Sequence, residues 1–333
     1  MTFAHLHLVM NHVPTVGAVI ALGLLLLAFA RRSDHLKHAG LEVLFLIALV
    51  TLPVYVSGVA GFFELRKAPG VSVAAMRAHQ DAALIGFAAI EFAGFVAWVA
   101  LWQWRRHGRA GRGLVSAATV LLILSLAIMG RAANLGGDIR HPEIRAGAAI
   151  ADPSTVEAVA PDGAVGADAE AEPQDMVAAI SDVAVNSPWA WPAAEAVHFL
   201  GLALTFGVLL AVNLRILGVM KQVPFAEVHR LLPWGMLGFG ANLITGMFFF
   251  VGQPGQYTAS APFYWKVAFL MIAGANFLYL TVFGKAWAPA GAAAGEARFD
   301  ASLADKAMAL LSMVSWLGVL YAGRMLPFLG KAF

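Results

Sequence analysis

A chain of 333 residues with a formal net charge of +2, 60% hydrophobic and only 13% charged, is too apolar for a water-soluble domain. Its apolar residues fall in blocks of about 20, the length that crosses a hydrocarbon core of ~30 Å, so an integral membrane protein is expected, with the lipid bilayer as a partner and no nucleic acid. Cysteine is absent, which excludes disulfides, thiolate-bound zinc, iron–sulfur clusters and covalently attached c-type haem, and leaves His, Met and carboxylates to hold any metal.

Membrane helices are predicted at roughly 5–30, 41–63, 82–104, 113–130, 194–214, 232–252, 263–283 and 303–323. The first has no basic run before it and is followed by Arg31 and Arg32, so it reads as a retained span and not as a cleaved signal. The fold class expected is an all-α integral membrane protein with eight transmembrane helices in two four-helix halves. These are residues 1–147 and 189–333, joined by a linker over 148–188. An even number of crossings puts both termini on one side, here called X. Loops 64–81, 131–193 and 253–262 share side X, and the remaining loops lie on the opposite side, Y. Most of the Lys and Arg fall on Y, and none appears between Arg145 and Arg215. By the positive-inside rule Y is cytoplasmic and X periplasmic, which implies a multi-pass protein of a bacterial inner membrane with both termini periplasmic. Each half starts on X, so any repeat between them would be parallel. His12 and His198 lie near the X end of the first helix of each half, and His79 and Lys266 near that of each third helix.

The first half closes on MGRAANLGGDIRHPEIRAG, residues 129–147, which is expected to break its helix at Gly136 and Gly137. It then crowds Arg140, His141, Glu143 and Arg145 into a short run. From Ala148 to about Ser187 the chain is rich in Ala, Val, Gly, Pro and acid, with little bulky apolar content to offset chain entropy. It reads as a tether or an acidic docking arm. Trp189 and Trp191 mark re-entry at the membrane interface.

Ten histidines are present. His35, His38, His107 and His229 fall on Y among Arg and Lys, where a solvated surface role is expected; His5, His7, His12, His79, His141 and His198 fall on X. His5 and His12 lie two turns apart on one face of a continuous helix, with His7 pointing elsewhere. His198 follows Glu195 by one turn, which lets the carboxylate orient the imidazole. A b-type haem needs two imidazoles from facing helices, an apolar slot, and cations at its edge for the propionates. The expected ligands of one or two haem b groups are His12, His79, His141 and His198, with Arg131, Arg140, Arg145, Lys266 and Arg324 as propionate partners. Elsewhere, polar groups in membrane helices serve as cross-helix hydrogen bonders, and Asn213, Asn242 and Asn276 are read so. Glu91, in the middle of the third span, and Glu195 are candidates for a proton route to a quinone. Residues 252–262, GQPGQYTASAP, read either as a roof over a quinone pocket or as an interfacial turn. A competing copper set is His5, His7 and His12 with Met1 and Met10. No HExxH is present to suggest zinc hydrolysis.

The opening LHLVMNHVPTVG, the MRAHQDAALIG of the third helix and LGGDIRHPEIR after the fourth resemble an uncharacterised family of bacterial four-helix membrane domains. The second half, EAVHFLGLALTFGVLLAVNLRILG followed later by FYWKVAFLMI, resembles the CopD-type and HemJ-type four-helix membrane domains. That resemblance implies haem b binding, with His198, Arg215 and Lys266 at the matching positions. The chain has Phe206-Gly207 where that group has Trp-x-Gly, which weighs against copper transport and porphyrinogen oxidation.

The function expected is a membrane-bound b-type cytochrome, the electron-transfer subunit of an oxidoreductase complex. It would work between the quinone pool and a periplasmic dehydrogenase or c-type cytochrome. The alternatives are a non-redox membrane anchor of a periplasmic complex and a copper or other metal permease.

Overall fold

The computed structural model describes residues 2–69, 71–140, 176–283 and 301–329. Among them eight helices are long and apolar enough to cross a membrane, and no strand occurs. The protein is an all-α integral membrane protein. In chain order the first span is α1 (Phe3–Met10) with α2 (His12–Arg31), followed by α3 (Asp34–Leu65), α4 (Val73–His107) and α5 (Arg112–Arg140). Helix α6 (Met176–Asn186) precedes α7 (Ala190–Leu217), α8 (Phe225–His229), α9 (Leu232–Gly252) and α10 (Pro254–Thr258). Helix α11 (Ala261–Leu278) runs into a π-helical turn at Tyr279–Phe283, and α12 (Leu303–Leu329) is the last span.

Local chemistry sets these boundaries. Pro14 has no N–H to give the carbonyl of Met10, and the first span is interrupted at Asn11 between α1 and α2. Ser33 and Ser72 cap α3 and α4 by accepting from the N–H of Leu36 and Ala75. Gly108 and Gly218 close α4 and α7 in the left-handed conformation that glycine adopts without penalty.

Two regions depart from expectation. Helix α5 does not break at Gly136 and Gly137 but continues through them to Arg140. The end of the acidic linker is not a tether either: Val177, Ile180 and Ala184 recur at helical spacing on α6. The Asp81 carboxylate of α4 accepts the N–H groups of Met176 and Val177, and the Ser181 hydroxyl donates to the Gly252 carbonyl. Both contacts tie α6 down at side X.

The two groups of spans pack directly on each other. Trp98 of α4 lies with its ring edge-on to Phe277 at 4.6 Å and to Phe239 at 5.8 Å. Its indole N–H donates to the hydroxyl of Thr281 in the π-helical turn, at 3.0 Å. Leu49 of α3 fills the space beside Gly274, where a Cβ would stand 2.7 Å from Leu49 Cδ1. Large apolar side chains such as Phe92, Leu200, Ile244 and Val314 remain on the outside, as helices facing lipid require.

Candidate site: a fixed histidine pair

Helix α1 is docked at its first turn. Glu64, at the end of α3, accepts the otherwise unpaired N–H groups of Phe3 and Ala4 at 3.1 and 3.0 Å. Gly61 lets the Ala4 backbone approach closely: a Cβ there would lie 3.1 Å from Ala4 Cα. Held in this way, α1 turns His7 inward, and its Nδ1 bonds the carbonyl of Val54 on α3 at 3.0 Å. Across from it, His79 of α4 bonds the carbonyl of Ala132 on α5 through Nδ1 at 2.7 Å.

The two contacts share one local design. The residue four positions after each accepting carbonyl is a glycine, Gly58 after Val54 and Gly136 after Ala132. Because a helical Cβ tilts toward the N-terminus, the side chain at i+4 ordinarily covers the carbonyl at i. Removing it opens the carbonyl to a ring from a neighbouring helix. A Cβ on Gly58 would lie 2.8 Å from His7 Cε1, and one on Gly136 would lie 3.2 Å from His79 Cε1.

These bonds also fix the tautomer. A carbonyl only accepts, so each Nδ1 carries the proton, and Nε2 of each neutral imidazole is left with its lone pair. The ring centroids lie 6.5 Å apart with planes at 73°. Two imidazole nitrogens each about 2 Å from one metal ion put their ring centroids roughly 6 Å apart. The pair therefore has the separation, the tautomer and the carbonyl support that bis-imidazole ligation requires. Two imidazoles held to backbone carbonyls are donors of the kind that a b-type haem takes.

His198 on α7 is fixed by similar logic. The Thr245 hydroxyl gives its proton to the Ala241 carbonyl at 2.7 Å, so at 2.8 Å from His198 Nδ1 its oxygen accepts and Nε2 is again unprotonated. Phe249 presents its ring edge at 5.6 Å. Lys266 of α11 lies near enough to act on His198 electrostatically, with its stem beside Gly323 of α12.

The expected ligand set is only partly gathered. His79 is in the pair, and His198 stands in its own site in the second half. His12 is exposed at the start of α2. His5 and His12 are both exposed on the first span, and it is His7 that turns inward. His141 and Arg145 lie outside the described residues, as does the side chain of Arg140. Arg131 is exposed, and so is Glu195, whose expected partner His198 bonds Thr245 instead. Glu91 carries one buried carboxylate oxygen without a hydrogen-bond partner among the described residues. An ionised carboxylate at that depth would be costly.

His5, His7 and His12 do not converge as a copper set requires, and no cluster of three or more His, Asp or Glu gathers among the described residues. On side Y, His229 is not solvated as expected but buried, stacked on Trp102 at 6.1 Å. His38 pairs with Glu42 at 3.0 Å. Arg215 is buried too, its Nε donating to the Val223 carbonyl and its guanidinium lying 3.8 Å over Phe225, so it braces the turn after α7. Residues 254–258 of the expected pocket roof form the short helix α10. Tyr257 there packs against Phe250 and Phe263, and burial together with the nearby Glu195 pushes its phenol up to about 12.

Comparison with protein-family models, with curated proteins and with solved structures finds no match.

Proposed function

We propose that the protein is a membrane-bound b-type cytochrome subunit that holds one haem between His7 and His79 near side X. It would pass electrons between a periplasmic dehydrogenase or c-type cytochrome and the quinone pool. The observation that carries this reading is the imidazole pair itself: centroids 6.5 Å apart, with each Nδ1 bonded to a backbone carbonyl. Haem held there by His7 and His79 would supply a one-electron couple within the bilayer. The Val54 and Ala132 carbonyls orient the rings and raise the basicity of Nε2, as outer partners of metal-bound histidines do. Gly58 and Gly136 admit those contacts. Glu64 holds α1, and with it His7, in register against α3. The excess of Lys and Arg on side Y supports a cytoplasmic Y and a periplasmic X, hence a bacterial inner membrane with the pair in the outer leaflet.

The test is a reduced-minus-oxidised absorption spectrum of the purified protein. A low-spin b-type spectrum at one haem per chain is expected. A colourless preparation that still assembles with its partner would replace this reading with that of a non-redox anchor.

A further inference from the structure

Helices α7 and α12 enclose a cavity of about 180 Å³ walled by Phe206, Leu209, Leu210, Met313 and Leu317. Two polar side chains line the same space, Asn213 of α7 and Trp316 of α12, which are 1% and 3% exposed. Asn213 donates from Nδ2 to the Ser312 hydroxyl at 3.0 Å, and its Oδ1 is buried with no partner among the described residues. The indole N–H of Trp316 is likewise buried with no partner among the described residues. One buried acceptor and one buried donor are thus left unmade at a single cavity, an arrangement that native proteins rarely leave without a ligand or water. Ser312, which fixes Asn213, and Trp316 are four residues apart and so lie on one face of α12.

The group that satisfies both is one that accepts and donates at the same atom. A hydroxyl does so, taking the N–H of Trp316 on its oxygen and giving its proton to Asn213 Oδ1. A carbonyl satisfies only the tryptophan. The remaining wall is aromatic and aliphatic, which suits a flat ring. Leu317 at the rim is 52% exposed on the outside of a membrane-spanning helix, so access is from the lipid. We infer that this cavity binds the ring of a lipid-soluble hydroquinone through one phenolic hydroxyl, held between Trp316 and Asn213, and discriminates against the oxidised quinone. The inference gives a place to the quinone side of the preceding reading, but it stands on this cavity and not on the histidine pair.

The test is equilibrium binding to the detergent-solubilised full chain, using trimethylhydroquinone and its 1,4-dimethyl ether as probes. The hydroquinone is expected to bind at one per chain and the ether at least tenfold more weakly, because the ether cannot donate to Asn213. Asn213→Leu and Trp316→Phe should each raise the hydroquinone Kd about tenfold while the haem-to-protein ratio stays unchanged. Leu210→Trp, which fills the cavity from its wall, should abolish binding of both probes. Equal affinity for hydroquinone and ether on the unaltered protein would mean only an apolar crevice and would overturn the inference, as would wild-type affinity in both polar variants. A red protein that fails to bind the hydroquinone refutes this site alone; a colourless one that binds it refutes the haem reading alone.

Discussion

Gly58→Ala isolates the device that holds His7. The added Cβ would stand 2.8 Å from Cε1 and 3.0 Å from Nδ1 of the imidazole. Carbon atoms in ordinary contact lie ~3.5–4.0 Å apart, so the ring must retreat by about 1 Å. That stretches the 3.0 Å bond to the Val54 carbonyl to ~4 Å, beyond hydrogen-bonding range. A buried donor left unmade costs about 1–3 kcal/mol, while alanine in place of a helical glycine returns roughly 1 kcal/mol. Net stability should therefore fall by no more than about 2 kcal/mol. Metal affinity, which depends on that outer partner, should fall about 10–100-fold.

The assay is the rate of haem loss to an excess of a haem-scavenging protein, read beside a thermal melt of the same preparation. Gly136→Ala, with its nearest contact to His79 at 3.2 Å, should show a smaller effect in the same direction. Gly137→Ala, with nothing within 4 Å, should behave as wild type. Equal haem retention in the Gly58 and Gly137 variants would refute the reasoning.

Three further outcomes are expected. Thr245→Val leaves the Nδ1 proton of His198 without an acceptor and should destabilise the protein by about 1–3 kcal/mol. Thr245→Ser should restore both stability and the Nδ1-protonated tautomer seen by ¹⁵N NMR, and a wild-type melt for the Val variant would contradict this. Trp98→Phe removes the bond to Thr281 and part of the packing against Phe277; a loss of about 2 kcal/mol in thermal unfolding is expected, with no change in haem content. Asp81→Asn weakens the charged cap on α6 by about 1 kcal/mol. It should speed limited proteolysis within residues 176–186, and unchanged cleavage kinetics would count against the docking of α6 by Asp81.

The spans were legible because length and apolarity alone specify them. What lay beyond them depended on contacts between helices. The spacing of His5, His7 and His12 separates His7 from the other two but does not say which face of the first span meets α3; the hydrogen bond from His7 to Val54 decides that. Gly136 and Gly137 read as a helix break, whereas Gly136 serves close approach by His79, a partner 57 positions away by subtraction of the sequence numbers. The usable signal was a mid-helix glycine in a span facing a histidine-bearing one. It becomes specific only once Val54 and Ala132 are known to present their carbonyls there. The spacing of Glu195 and His198 was suggestive, but Thr245, distant in sequence, supplies the better-placed oxygen. Helix α6 was masked by the acidic composition that precedes it, and its apolar stripe packs against α9, with further contacts to α4 and α7 and its first turn held by Asp81.

The central claim is that His7 and His79 together grip one iron, and the direct measurement is the spin state of the bound haem by electron paramagnetic resonance in wild type, His7→Ala and His79→Ala. The account expects a low-spin bis-imidazole signal in wild type and its loss, to high-spin or haem-free protein, in each variant. A low-spin signal of wild-type intensity in either variant would contradict it.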